Sequence, residues 1–355
     1  MARTNVPKCD HGSEGSAAVG AICFAFFSVN ASRRTLVARP PSPHPVDPTP
    51  RRWWGDHLAV PVGLGGNTFG RTTDAAASHR ILDAFAEAGG ALVDTADTYS
   101  DGASEAIVGA WMRDRKNRDQ VVVSTKGGNH PRFEGLSATT VAAAVEESLR
   151  RLGTDYIDLY FAHYQDDQTP IEESAAAFDA LVQAGKIRAI GLSNFTADAV
   201  RQWIDTAGSG GFAAPVALQP HYSLVHRQPF EGEFAPLASE TGLAVLPYRA
   251  LGGGFLSGKY RTDADTEDRA RGAGVRPLLT PEGLRLLDTI DAIAHDHHAR
   301  AATIALAWLM HQPAVTAPLA SATSRAQLEE LLAAPAVTLD EAEITRLNTA
   351  ADDLA

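Results

Sequence analysis

The fold class predicted from the sequence is α/β, a (β/α)8 TIM barrel, because short apolar runs alternate with helical patterns from residue 60 onward. The eight runs that we expect to form parallel strands are 60–64, 91–93, 121–125, 156–162, 187–192, 215–219, 243–247 and 315–319. The patterned region of roughly 300 residues fits one such barrel with insertions better than a doubly wound sheet.

Helix signals between the runs agree with that architecture. The sequence predicts helices over 74–88, 137–152, 171–184 and 281–295. Pro170 lies just before the third of these and Gly185 just after it, which is the usual placement of the two residues. A pattern over 341–351 predicts an extra C-terminal helix. We expect the longest connection, 258–281, to be a loop that becomes ordered on ligand binding.

The chain divides into two parts. Residues 1–52 include a proline-rich stretch and lack a periodic apolar face, so we expect an N-terminal extension that is disordered or begins too far upstream. An export signal is the alternative, but the apolar stretch 15–29 follows Asp10 and Glu14 as well as basic residues. Residues 53–355 are expected to form the barrel domain.

Composition limits the class of partner. The formal net charge of -12 argues against a general affinity for nucleic acid or an anionic membrane. The two cysteines, Cys9 and Cys23, precede the patterned region, so neither a disulfide framework nor a cysteine metal site is expected in it. We expect a cytoplasmic protein with a small-molecule partner. The sequence does not define its oligomeric state.

Four polar residues follow successive predicted strands. Asp94 and Tyr99 come after the second run, Lys126 after the third and His163 after the fourth. In a barrel these strand ends carry the catalytic groups. We expect Asp94 to pair with Lys126, Lys126 to lower the pKa of Tyr99, and His163 to hydrogen-bond a carbonyl oxygen that Tyr99 protonates. The structural alternative is a buried ion pair with a core tyrosine and a core histidine.

Five sequence motifs occur in order around these residues. They are VDTADTY at 93–99 followed by Ser104 and Glu105, VSTK at 123–126, DLYFAH at 158–163, GLSNF at 191–195 and GFLSGKY at 254–260. Together they resemble the motifs of the aldo-keto reductase superfamily, and the resemblance covers residues 60–347. It implies NADPH-dependent reduction of an aldehyde or ketone, sugar-like carbonyls among them, in a (β/α)8 barrel.

The resemblance also implies roles for individual positions. Asp94, Tyr99, Lys126 and His163 would be the catalytic tetrad, with Tyr99 the proton donor. The implied cofactor contacts are Ser193, Asn194 and Gln219 for the carboxamide, Tyr248 for the nicotinamide ring, Leu251, Gly253 and Lys259 for the pyrophosphate, and Thr323, Gln327 and Glu330 for the adenosine end. Arg325 is the first candidate for the 2′-phosphate, with Arg269 and Arg271 in support. Arg249 and Leu331 depart from the family pattern and bear on cofactor affinity.

Two other classes of protein compete with a reductase. A nucleotide-binding partner or sensor module of the potassium-channel β-subunit type would share the barrel and show little turnover; the presence of His163 beside the other three residues favours turnover. A metal-dependent barrel hydrolase would require paired histidines on the first strand, and residues 60–64 contain none. No metal site is predicted. His221 and His226 are expected to line the substrate pocket, but the sequence does not identify the physiological substrate.

Overall fold

The structure of the protein is a computed structural model that describes residues 60–354. This part of the chain contains ten strands: β1 Gly63–Gly65, β2 Leu92–Asp94, β3 Val122–Gly127, β4 Asn129–His130, β5 Phe133–Glu134, β6 Leu159–Ala162, β7 Ile190–Ser193, β8 Ala217–Gln219, β9 Ala244–Val245 and β10 Leu319–Ala320. Eight of them form one parallel sheet in the order β10-β1-β2-β3-β6-β7-β8-β9. Each of these eight strands overlaps one of the predicted apolar runs.

The two outer strands of that order are also linked. The N–H of Leu319 donates to the carbonyl of Pro247 at 2.8 Å, and the N–H of Thr316 donates to the carbonyl of Val245 at 2.9 Å. These bonds join the segment around β10 to the segment around β9, so the sheet curls round. The described residues therefore form a TIM-barrel-like α/β fold.

Helices follow most of the strands. They are α1 Ala75–Glu87, α2 Ala103–Arg115, α3 Ala138–Leu152, α4 Ile171–Gln183, α5 Ala197–Gly210, α6 Ala235–Thr241, α7 Gly272–Val275, α8 Pro281–Asp296, α9 Ala301–Met310, α10 Arg325–Leu332 and α11 Glu341–Asp352. The four helices that the sequence delimits are confirmed, as is the extra C-terminal helix α11. Asp74, Ser137 and Thr280 define three of the starts, since each side chain accepts a backbone N–H of the first turn.

Apolar side chains pack on both faces of the curled sheet. An inner group is contributed by alternate residues of the strands and consists of Leu92, Val122, Leu159, Phe161, Ala189, Ala217, Ala244, Leu246, Ala317 and Leu319. A larger outer group, which includes Val93, Val123 and Trp111, fills the space between the sheet and the helices. Because strand side chains alternate in direction, the residue two positions after an inner apolar residue also faces inward.

Two details differ from the sequence-based expectation. The segment 258–281 contains short helical turns at Asp263–Thr266 and Arg276–Leu278 as well as α7, and its Val275 is fully buried. It is therefore more regular than the predicted loop. The hairpin of β4 and β5 was not predicted, because two-residue strands carry no periodic signal. The predicted N-terminal extension lies outside the described residues. Among the residues described, no helix is long and apolar enough to cross a membrane.

Candidate active site

Strand alternation brings the candidate site residues to one end of the inner face. In each case the polar residue lies two or four positions after an inner apolar residue. The pairs are Leu92 and Asp94, Val122 and Lys126, Phe161 and His163, Ala217 and Gln219, and Leu246 and Tyr248. All five polar residues lie beyond or within one residue of the carboxyl ends of their strands, where barrel folds carry their active sites.

Lys126 and Asp94 form the predicted ion pair. The Lys126 Nζ lies 2.7 Å from Asp94 Oδ2 and also donates to the carbonyl of Thr95 at 2.7 Å. The lysine is completely buried. Burial lowers the pKa of Lys126, but Asp94 and Tyr99 raise it by more, so the net pKa lies above its ordinary value. The site therefore holds a desolvated ammonium group at neutral pH.

Tyr99 lies beside this ammonium. The Lys126 Nζ is 5.0 Å from the centroid of the Tyr99 ring. Burial raises the pKa of Tyr99, Lys126 lowers it and Asp94 raises it, with a net rise above 10.0. Lys126 lowers the pKa of Tyr99 as expected, but the cost of burying a phenolate, which the expectation left out, outweighs the attraction of the ammonium. The phenol therefore keeps its proton at neutral pH, and Lys126 prevents its pKa from rising further.

His163 lies across the site from Tyr99, with 6.4 Å between the ring centroids and an interplanar angle of 79°. Burial, and to a smaller extent Lys126, lower the pKa of His163 to about 3. Its Nδ1 is buried and has no hydrogen-bond partner among residues 60–354. A neutral imidazole can hydrogen-bond a substrate oxygen but has no acidic proton to give at neutral pH. The role of Tyr99 as the proton donor stays a prediction.

The four residues predicted to hold the nicotinamide end lie together. Ser193 Oγ donates to the carbonyl of Gln219 at 2.9 Å, and Asn194 Nδ2 donates to the carbonyl of His163 at 2.8 Å. The hydroxyl of Tyr248 donates to Asn194 Oδ1 at 2.8 Å. Asn194 has a left-handed φ of 56°, which asparagine tolerates better than most residues. The cofactor roles of these residues stay predictions.

Asp94 has two further partners that sequence reasoning missed. Its Oδ1 accepts a hydrogen bond from Ser124 Oγ at 2.6 Å and another from Gln219 Nε2 at 3.0 Å. Ser124 could have been found from strand alternation, because it precedes Lys126 by two positions and faces the same way. The contact from Gln219 depends on how β8 is placed relative to β2, which no local pattern shows.

His221 and His226 stack on each other beside Tyr248. Their ring centroids are 3.8 Å apart, and the His221 and Tyr248 centroids are 5.3 Å apart. Burial is the main cause that lowers the pKa of both imidazoles, and it brings that of His221 to about 4. Both line an open cavity of ≈ 530 Å³ that Asn194 and Gln219 also line. Their contact with substrate stays a prediction.

Cations without acidic partners follow β9. Within the described part of the chain, no carboxylate lies within 4.0 Å of Lys259, Arg269 or Arg271, and Arg271 Nη2 donates to Asn67 Oδ1 at 3.0 Å. Burial lowers the pKa of Lys259, and Arg271 and Arg269 lower it further. The preceding turn, with Leu251 at its start, has φ values of 55°, 71° and 106° at Gly252, Gly253 and Gly254, which glycine alone adopts easily. Such a group of cations beside a glycine turn fits the phosphates of a dinucleotide.

The residues predicted for the adenosine end lie around α10. Thr323 donates its N–H and its hydroxyl to Gln327 Oε1, both at 2.9 Å. Arg325 Nε donates to Glu329 Oε1 at 3.0 Å, and its Nη1 lies 3.8 Å from Glu87 Oε2. Glu330 lies near enough to Lys259 to raise the pKa of that lysine. The charge of Arg325 is thus already matched by carboxylates, unlike that of Arg269.

Metal-ligating residues are not grouped in the described region. No three or more His, Cys, Asp or Glu residues there are placed to hold a metal ion. The sequence places three histidines at and just beyond the end of α8, and the side chain of one of them, His295, is 88% exposed.

Comparisons with known proteins show which family the chain belongs to. A sequence profile described as the aldo/keto reductase family matches residues 61–352. The aldo-keto reductase YhdN of Bacillus subtilis is 33% identical over 301 residues, which are 81% of this chain and 88% of that protein. An aryl-alcohol dehydrogenase (NADP+) of Phanerodontia chrysosporium is 31% identical over 310 residues, 81% of this chain and 78% of that protein. A probable voltage-gated potassium channel subunit beta of Oryza sativa is 32% identical over 272 residues, 74% of this chain and 83% of that protein.

The curled parallel sheet, with a buried acid and lysine and a half-buried tyrosine at its carboxyl end, has the features of an oxidoreductase barrel. The chain belongs to the aldo/keto reductase family, whose sequence profile spans nearly all of the described residues.

Proposed function

We propose that this protein reduces an aldehyde or ketone, sugar-like carbonyls among them, to the alcohol with NADPH as the hydride source. The observation that carries the proposal is the buried Lys126 ammonium, which lies between the Asp94 carboxylate and the Tyr99 phenol. The active unit would be a closed (β/α)8 barrel made by residues 53–355. The cytoplasmic location stays a prediction.

The residues present fit a nicotinamide dinucleotide phosphate. Ser193, Asn194 and Gln219 would hold the carboxamide, and the free face of Tyr248 would pack on the ring. Leu251, Gly253 and Lys259 would hold the pyrophosphate, and the adenosine end would take Thr323, Gln327 and Glu330. Arg325, Arg269 and Arg271 are the candidates for the 2′-phosphate. When bound, NADPH supplies a hydride to the carbonyl carbon.

The protein's own groups would do the acid chemistry. The neutral imidazole of His163 donates a hydrogen bond to the carbonyl oxygen and fixes its direction. The Tyr99 phenol gives its proton to that oxygen as negative charge develops on it. Lys126 stabilises the phenolate that remains, and Asp94 holds Lys126 in place. The product is the neutral alcohol, and Tyr99 regains its proton from solvent.

The printed names of relatives support the class of reaction. The Bacillus subtilis protein is named an aldo-keto reductase, and the Phanerodontia chrysosporium protein is named an aryl-alcohol dehydrogenase with NADP+. A dinucleotide with a 2′-phosphate also suits the cations Lys259, Arg269 and Arg271, which lack acidic partners in the described region.

A nucleotide-binding partner or sensor module with little turnover is the second candidate. One observation favours it, namely the 32% identity to the potassium channel subunit beta of Oryza sativa. A reductase is preferred because the proton donor, the lysine, the acid and the histidine all lie around one space. Steady turnover of any carbonyl at a rate that Tyr99 controls would decide in favour of the reductase.

Replacement of Tyr99 by phenylalanine tests the proposal. We expect Tyr99→Phe to bind NADPH about as tightly as the unaltered protein, since only a hydroxyl is lost, and to reduce aromatic aldehydes, dicarbonyls and keto sugars roughly 10² to 10⁴-fold more slowly. The measurement is NADPH absorbance loss over that panel.

Tyr156→Phe is the matched control. Tyr156 precedes β6 at the opposite end of the sheet, where its ring contacts Arg118 and Arg188. The Tyr156→Phe substitution should therefore leave kcat unchanged. If Tyr99→Phe kept more than about half of the original kcat, Tyr99 would not be the proton donor.

A further inference from the structure

Asp94 uses both oxygens of its carboxylate, and it uses them for different partners. Oδ2 accepts from the Lys126 ammonium at 2.7 Å. Oδ1 accepts from Ser124 Oγ at 2.6 Å and from Gln219 Nε2 at 3.0 Å. Asp94, Ser124, Lys126 and Gln219 are all nearly or fully buried. A buried carboxylate with three donors in fixed directions cannot rotate without losing at least one of them.

Gln219 also lies beside the residues that would hold the carboxamide. Its backbone carbonyl accepts from Ser193 Oγ, and the Ser193 hydroxyl accepts from Asn194 Nδ2 at 3.2 Å. A primary amide has two N–H donors and one acceptor oxygen. One N–H on Asp94 leaves the second N–H and the oxygen of Gln219 for a neighbouring carboxamide. The same side chain can therefore contact the acid of the tetrad and the nicotinamide end together.

We propose that Ser124 and Gln219 are positioning residues that hold the Asp94 carboxylate against Lys126, and that Gln219 thereby connects the nicotinamide end of the nucleotide site to the proton donor. This inference rests on the proposed function. It assigns Ser124 a part in the site, and it gives Gln219 a second partner besides the cofactor.

The hydrogen bonds to Asp94 would affect the pKa of Tyr99 electrostatically. The groups around the phenol are Asp94, Lys126, His163, Tyr164 and Tyr248. Asp94 raises the pKa of Tyr99 and Lys126 lowers it. If one donor to Oδ1 is removed, less of the carboxylate's charge is neutralised and more of it acts on Lys126 and Tyr99. The phenolate then becomes harder to form, and the pKa of Tyr99 rises further.

The experiment compares Ser124→Ala with Gln219→Met. Each removes one donor to Oδ1, and only Gln219 has a predicted contact with the carboxamide. For both variants we expect the limb of the pH profile that reports Tyr99 to move upward by on the order of 0.5 to 1 pH unit, in carbonyl reduction and in alcohol oxidation alike. Gln219→Met should also weaken NADPH binding roughly tenfold, whereas Ser124→Ala should leave the nucleotide Kd unchanged.

Two further variants separate positioning from general damage. Ser124→Thr keeps a hydroxyl and should restore the original pH profile. Ser148→Ala removes a buried serine hydroxyl on α3 that has no hydrogen-bond partner among the described residues, and it should change neither profile nor Kd. A merely structural loss in Ser124→Ala would lower the rate at every pH without moving the limb, and that result would overturn the proposal.

Tyrosinate absorbance tests the inference independently of turnover. The difference between each protein and its Tyr99→Phe counterpart isolates the titration of this one phenol. If no carbonyl is reduced by the unaltered protein, the proposed function fails, but an upward shift of this titration in Ser124→Ala and Gln219→Met would still support the positioning role. Identical titrations in all three proteins would refute it.

Discussion

Asp97 lies between two residues of the proposed tetrad, Asp94 and Tyr99, and its carboxyl group is completely buried. Neither of its oxygens has a partner in good hydrogen-bond geometry among the described residues, although the backbone N–H of Thr98 lies close enough to lower its pKa. Burial first, and then the nearby carboxylate of Glu105, raise the pKa of Asp97 to about 7, while Arg151 and Lys126 act in the opposite direction. Tyr160 also lies near the Asp97 carboxyl group, which raises the pKa of that tyrosine.

This raised pKa makes the stability of the protein depend on pH. The unfolded chain releases the Asp97 proton near pH 4, whereas the folded chain keeps it to about pH 7. The folded state therefore binds the extra proton between those values. The stability that the protonated Asp97 contributes to the folded state is fully present below about pH 4 and is lost as the pH rises to about 7. Asp97→Asn resembles the protonated acid permanently, so its Tm should exceed that of the unaltered protein at pH 8 and match it near pH 4.

Asp205→Asn serves as the control for this prediction, because it removes the same charge from an exposed position on α5. Its Tm should follow that of the unaltered protein at both pH values. If thermal denaturation shows Asp97→Asn to be less stable at pH 8 than the unaltered protein, then Asp97 is ionised and compensated in the folded state, contrary to the expectation.

Sequence reasoning reached the identity of the site residues more easily than their acidity. Asp94 and Lys126 could be paired because strand order and alternation bring them to one end of neighbouring strands. The sign of the Tyr99 shift could not be obtained in that way, since it depends on how far burial outweighs the Lys126 charge. The raised pKa of Asp97 has the same origin, because burial is not a local property of the sequence.

At the scale of elements, long periodic segments were predictable and short ones were not. Helices α1, α3, α4 and α8 begin and end within a residue of the predicted limits, because an apolar face marks all four and a capping side chain marks the start of α1, α3 and α8. The hairpin of β4 and β5 and the turns within 258–281 contain too few residues to show a period. The pairing of Arg325 with Glu87 was equally inaccessible, since it joins α10 to the end of α1.

The segment 258–281 and helix α10 together allow a prediction about nucleotide preference. Arg269 lies near Lys259 without a carboxylate partner in the described region, whereas Arg325 already contacts Glu329 and Glu87. A charge-assisted contact with a 2′-phosphate contributes about 1.5 to 3 kcal/mol. Arg269→Ala should therefore weaken NADPH binding roughly ten- to a hundredfold and leave NADH binding nearly unchanged, with a smaller effect for Arg325→Ala.

Quenching of tryptophan fluorescence gives both dissociation constants for each variant. Arg300→Ala is the control for loss of an exposed positive charge, because Arg300 lies at the start of α9 and has no acidic partner in the described region. Equal weakening toward both nucleotides would give Arg269 a structural role. If Arg325→Ala weakened NADPH binding more than Arg269→Ala did, the 2′-phosphate contact would be assigned to Arg325 on α10.

At the scale of the whole molecule, the chain carries a net negative charge, whereas several positive side chains lie near the proposed nucleotide site. The formal net charge is -12, yet Arg71 and Arg249 both lie close enough to Arg271 to affect its pKa. Arg71 and Arg249 lower the pKa of Arg271, as burial does to a greater extent. A negative surface with a local group of cations attracts a small anion such as a dinucleotide and not an extended polyanion.

Within the described residues, the eight-stranded sheet begins with β1. β1 pairs with β10 on one side and with β2 on the other, and the backbone around β10 bonds to Val245 and Pro247. We therefore expect a protein lacking residues 1–52 to keep the Tm and the kcat/KM of the full chain. Removal of residues 1–65 is the contrasting variant, since it deletes β1 and leaves β2 and β10 each with a neighbour on one side only, and it should not fold. A Tm lower by several degrees after removal of residues 1–52, or loss of most of the activity, would show that these residues contribute to the folded domain.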